Sequence, residues 1–188
     1  MFHLLFGPKD PTRAWQPGFG QSLTFDLNAG SINNIGFGQR LEALSFLGPA
    51  EDRRSFRHGE FCWHSLGVCI ECDGDDHAIT GFHIVFRDPD KEKYQSFTGR
   101  ILSDGHAIDL SELTPPEFTE QFGECFWLDR DENESIMFYE FTDCEWQVEF
   151  DHASSLKRLF MTTRPLMAED EVRETFDVTR AWPPDICS

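Results

Sequence analysis

No run of about 18 apolar residues, the length a membrane span needs, occurs anywhere in the 188 residues. Basic residues are scarce: 16 lysines and arginines stand against 34 aspartates and glutamates, a formal net charge of −18. A surface of that sign repels a phosphate backbone, so nucleic acid is not expected as a partner. The motifs of familiar chemistry are missing as well. There is no phosphate loop of G-x-x-x-x-G-K-[ST] form and no H-E-x-x-H, and "WHSLG" is no nucleophile elbow because Trp63 holds its first glycine position. "MFHLLFGPKD" has neither the basic start nor the apolar length of a secretory leader.

What is present is aromatic bulk. With 19 phenylalanines, 5 tryptophans and 39% apolar residues, the chain carries enough large side chains to fill a core without a covalent staple. The six cysteines, Cys62, Cys69, Cys72, Cys125, Cys144 and Cys187, are therefore expected as reduced thiols in a cytoplasmic protein. Cys69 and Cys72 form a C-x-x-C, but no second pair follows at zinc-site spacing, and period-two geometry sends the two to opposite strand faces.

Alternation marks the strands. "SLTFDL", "WHSLGVCIE", "AITGFHIVF", "SIMFYEF", "EWQVEF" and "LKRLFM" read as strands, and Trp146, Val148 and Phe150 point to a core while Glu145, Gln147 and Glu149 face water. Phe37, Leu41, Leu44 and Leu47 predict an amphipathic helix ending at Gly48-Pro49. Thr114 and Glu117 form a capping box, with Pro115 at the first position of a second helix that stops at Gly123. Val172 and Phe176, one turn apart, predict a short C-terminal surface helix.

Gly30 and Gly105, and the helix ends Leu47-Gly48 and Phe122-Gly123, correspond at one offset of 75 residues, while Trp63 and Trp127 correspond in order at a different offset. The expected fold class is thus α+β: two tandem strand-helix-antiparallel-strand repeats, residues 1–93 and 94–188, with helices packed on one face of the sheets. The inner faces should carry Phe82, Ile84, Phe86, Trp146, Val148 and Phe150.

"DRDENESIMFYE", Asp129 to Glu140, has oxygen side chains at loop positions one, three, five and twelve. Glu134, however, holds the sixth position, where a calcium loop needs glycine, and strands flank it where helices should. It reads as a hairpin tip. "GFGQRL" lacks the third glycine of a dinucleotide fingerprint. No catalytic, cofactor or metal site is expected. The candidate partner-binding residues are the acidic tips: Asp73, Asp75 and Asp76 in "DGDD", and Asp129, Asp131, Glu132 and Glu134 in "DRDENE". Equivalent turns in two repeats would join them in one negative surface.

The layout resembles the beta-lactamase inhibitory protein fold. "LGP" before "WHSLGVCIE", together with "FHIVF" and "FTGRIL", is similar to an uncharacterised bacterial family of small acidic accessory or immunity-type proteins. The resemblance covers about Leu23 to Thr163, implies a non-enzymatic binding module facing a basic protein partner, and transfers no functional residue. The alternative is a hydrolase-like or small-ligand-binding enzyme whose site is built from scattered carboxylates and histidines.

Overall fold

Two sheets share one core. The structure, a computed structural model, describes residues 9–18, 22–52, 55–74, 76–87 and 93–179. Within them the chain is α+β, with helices in the minority. The smaller sheet joins β1 (Thr24–Asp26), β2 (Ser31–Ile32), β3 (Ile35–Gly36), β7 (Arg100–Ser103) and β8 (His106–Ile108) in the order β3-β2-β1-β7-β8. The larger comprises β4 (Glu60–Trp63), β5 (Val68–Asp73), β6 (Ala78–Val85), β9 (Trp127–Arg130), β10 (Glu134–Glu140), β11 (Glu145–Asp151) and β12 (Leu156–Thr162), ordered β4-β5-β6-β12-β11-β10-β9.

Strand pairs are antiparallel except β1 with β7, where Phe25 sits opposite Ile101. Each sheet therefore draws strands from both sides of residue 93. Phe25 of the small sheet meets Phe82 of the large one edge-on, with ring centroids 5.7 Å apart. Phe82, Ile84, Trp146, Val148 and Phe150 are buried as expected, while Phe86 lies just past β6, half-buried.

The first predicted helix is a 3-10 helix over Leu41–Leu47 that begins after Phe37. Its buried residues Leu41, Leu44 and Leu47 recur every third position, and a helix of three residues per turn stacks them on one line. The second is α1 (Pro115–Phe122), with the expected capping box and proline, stopped at Gly123 in a positive-φ conformation. Phe118 of α1 is wholly buried, packed on Phe122, Tyr139 and Phe150.

Ahead of β1, a short 3-10 helix, Pro11–Ala14, is capped by Asp10. There Thr12 Oγ1 is buried and accepts the Ala50 N–H at 2.9 Å, and Trp15 stacks on Trp63. "WHSLGVCIE" is not one strand. β4 ends at Trp63, a 3-10 turn occupies His64–Leu66, and left-handed Gly67 starts β5.

That tight turn overturns the expectation of six reduced thiols. Antiparallel pairing of β4 with β5 sets Cys62 directly opposite Cys69, and the two form a disulfide. Cys69 and Cys72 do lie on opposite faces, but the partner of Cys69 is across the sheet and not along the strand. Cys72, Cys125 and Cys144 are free, and Cys187 lies outside the described residues. Thiol titration of the denatured, unreduced protein should therefore find two thiols fewer than titration after reduction; equal counts would refute the bridge.

The outer face of the large sheet is also drier than its alternation suggested. The segment after β12 folds back across it, with Met167 fully buried and α2 (Asp170–Thr175) lying near β9 and β10. The short helix expected from Val172 and Phe176 is present. Arg173 is the buried residue of α2, while Phe176, 45% exposed, rests on Trp127. Among the described residues, no helix is long and apolar enough to cross a membrane.

Candidate functional site

The acidic tips come first. β5 and β6 turn at the end of the large sheet where β12 finishes, since Gly81 pairs with Thr162. β9 and β10 turn at the opposite end, since Glu134 pairs with Asp151. The two tips therefore do not form one surface through their turns. Antiparallel register places them at opposite ends of the strands.

Their carboxylates also differ in what they are free to do. Asp73 is paired with Arg164, whose hydrogen bond and charge hold it below the usual carboxylate range. Glu134 is paired with Lys157 at 2.9 Å and lowered likewise. Asp131 builds its own turn by accepting the N–H groups of Asn133 and Glu134 at 2.7 and 2.9 Å, which lower its pKa. That is the hairpin tip expected of "DRDENE". Asp129 and Glu132 are exposed and show no ion pair among the described residues. Asp76 lies in the β5–β6 turn, and Asp75 lies outside the described residues.

Glu140, the would-be twelfth calcium ligand, sits at the far end of β10, where its side chain is wholly buried and ion-paired to Arg173 at 3.1 Å. Directly across the strand pair lies Glu145, also fully buried. One of its oxygens accepts from Gln147 Nε2 at 2.7 Å and the Leu166 N–H at 3.3 Å, while the other meets no donor of good geometry. Burial pushes the Glu145 carboxyl above its ordinary value against the pull of those donors. Arg173 is ion-paired to Glu140 and acts on Glu145 only through its charge, which lowers that carboxyl slightly against the effect of burial.

A site that sequence reasoning missed opens where the small sheet meets the β10–β11 turn. It is a cavity of about 810 Å3, within the range of small-molecule sites. One wall is made by the β1–β2 and β7–β8 turns, which are tied together. Asn28 Nδ2 donates to Asp104 Oδ1 at 3.0 Å, and the Asp104 N–H donates to Asn28 Oδ1 at 2.7 Å. Asp104 and Gly105 both take positive φ, which lets the β7–β8 turn close in two residues. Gly30, also at positive φ, lies against Phe37, and a Cβ there would run into that ring.

The floor is aromatic. Trp146 packs against Phe141 at 4.9 Å and Phe122 at 5.8 Å between ring centroids. Its indole N–H has no acceptor of good geometry and lies by the Cys144 sulfur, a weak acceptor. Burial lifts the Cys144 thiol to about 11, partly offset by that indole contact. A thiol so held is protonated at neutral pH and is no nucleophile. Asp104 and Asp143 supply carboxylates at the rim, and among the described residues neither lysine nor arginine lines the cavity. The one legible signal is Phe141, an apolar ring in the turn "FTDC", where a strand-to-strand connection usually places polar residues.

Among the described residues, no group of three or more histidine, cysteine, aspartate or glutamate side chains is arranged to hold a metal ion. No family model matches the chain and no curated protein is similar to it. A solved structure, that of a DUF4309 family protein from Bacillus subtilis, is similar at 12% identity and a TM-score of 0.45, over 65% of this chain and 76% of that one.

Proposed function

We propose that this chain is a non-enzymatic, acidic protein-binding module of the inhibitor or immunity type, whose partner is a basic protein in the cytoplasm. The observation that carries the reading is the charge of −18 together with its distribution. Basic side chains such as Lys157, Arg158, Arg164 and Arg173 are drawn into ion pairs, so the surplus rests on exposed carboxylates such as Asp129 and Glu132. Such a field steers a cationic partner from a distance and is screened by salt.

The tandem-repeat reading belongs to the same proposal. Each half runs from short strands through helical segments to antiparallel strands, β1 to β6 and then β7 to β12, with three 3-10 helices between β1 and β6 and α1 in the second half among the described residues. The matched glycines share an unusual backbone: Gly48 has φ 79° and ψ −171°, and Gly123 has φ 88° and ψ 179°. The cytoplasmic assignment has lost its cysteine argument to the Cys62–Cys69 bridge.

The test is capture of the partner by crosslinking, followed by association kinetics. The rate constant should fall as salt rises, and Asp129→Asn, Asp131→Asn and Glu132→Gln combined should lower it about tenfold with unchanged thermal stability. The change at Asp131 swaps a carboxylate for an amide whose oxygen still accepts the turn N–H groups, so the fold is not at stake. An acidic partner, or a rate indifferent to both salt and substitutions, removes the reading. A second reading, small-ligand binding, is favoured by the cavity beside Trp146.

A further inference from the structure

We infer that the cavity beside Trp146 binds a small organic cation, an ammonium or guanidinium group carried on an apolar body. This goes beyond the basic-partner reading, because it concerns one concave site and not the overall field.

Two observations converge. First, Phe37, Phe122, Phe141 and Trp146 all line the cavity, and Trp146 is flanked by two of those rings at steep interplanar angles, 74° to Phe122 and 50° to Phe141. Rings inclined to one another present π faces from several directions, the arrangement that attracts a soft cation through the ring quadrupoles. Second, the fixed charges in the wall have one sign, with His106 the basic side chain that lines it beside them. Asp104 and Asp143 are the carboxylates, and among the described residues no lysine or arginine of the lining opposes them. An anionic ligand would meet repulsion on entry, whereas a cation meets counter-charge at the rim and aromatic faces below.

The wall is also preorganised. The reciprocal Asn28–Asp104 hydrogen bonds fix the Asp104 carboxylate, and both partners belong to tight turns of the small sheet. A site held rigid in this way loses little ordering entropy when it is filled.

The probe is benzyltrimethylammonium, with benzyl alcohol as the neutral and phenylacetate as the anionic counterpart, followed by calorimetry and tryptophan fluorescence at low salt. The cation should bind about tenfold more tightly than the alcohol, with phenylacetate weakest. Phe141→Ala, at an exposed ring, and the pair Asp104→Asn with Asp143→Asn should each weaken cation binding about three- to tenfold and leave the melting temperature in place. Asparagine suits the positive φ of position 104 and keeps an oxygen for Asn28. Equal affinity for the three probes, no binding of the cation, or full affinity in both variants overturns the inference.

The same chemistry could arrive as a free small molecule or as a lysine or arginine side chain of a protein. An arginine-containing peptide displaced by benzyltrimethylammonium identifies the side chain as the source; a peptide that is not displaced identifies the free cation. Failure here leaves the salt dependence of partner association untouched, so the two readings fall separately.

Discussion

Arg173→Met is expected to destabilise the fold by about 3–5 kcal/mol, the usual consequence of stranding a buried charge by removing its partner. Arg173 is 3% exposed, donates to Glu140 at 3.1 Å and to the Met167 carbonyl at 2.6 Å, and lies over the Phe126 ring at 5.0 Å. Glu140 is wholly buried and Glu145 stands directly across from it. Losing the guanidinium leaves two carboxylates facing each other in a dry layer, with burial already driving Glu145 toward its protonated form. Urea unfolding should show the loss as a lower midpoint. Adding Glu140→Gln to the Arg173→Met background should recover a large part of it, because the stranded charge is then gone as well. Additive losses in the double variant would mean that the pair is not coupled.

Phe118→Ala should cost about 3–5 kcal/mol as well, by a different route. The ring is fully buried, and its centroid lies 4.5 Å from Phe122, 5.6 Å from Tyr139 and 6.1 Å from Phe150. Its removal opens a void that neighbouring rings fill only in part. For a chain of this size the melting temperature should drop by roughly 6–20 °C. Glu120→Ala on the exposed side of α1 should stay within about 0.5 kcal/mol of the parent. A small change at Phe118 would show that α1 is not packed on the large sheet.

Much of the fold is legible because local chemistry decides it. The alternation of "EWQVEF", the capping box of Thr114 and Glu117, and the Asp104-Gly105 turn each specify their element within a few residues. Where sequence and structure part, the deciding information is either ambiguous or distant. Leu41, Leu44 and Leu47 have a spacing of three, which both helix types tolerate and which a 3-10 helix satisfies better than the commoner α-helix. The Cys62–Cys69 bridge depends on register set by a turn of three residues and a left-handed glycine. The dry setting of Glu145 and Glu140 depends on a segment arriving from beyond residue 162.

The site is less legible than the fold. The acidic tips are turns, as their composition implies, but strand direction, which no single element declares, sends them to opposite ends. The cavity draws on two sheets and one helix end. Its residues lie far apart in sequence and follow no spacing rule, so only the exposed Phe141 hints at it.

The interleaving of the sheets has a consequence for how the chain comes into being. β1 is completed by β7, and β6 by β12, so a nascent chain that has delivered only its first six strands presents two open strand edges to the cell. Those edges close only once β7 and then β12 have been synthesised. Contacts this distant in sequence slow folding, and an unpaired edge held open during synthesis is a place where strands of another molecule can join. The interval between the emergence of β6 and that of β12 is thus the period of greatest exposure to misassembly, and a pause in translation within it should lower the yield of folded protein more than one placed after β12.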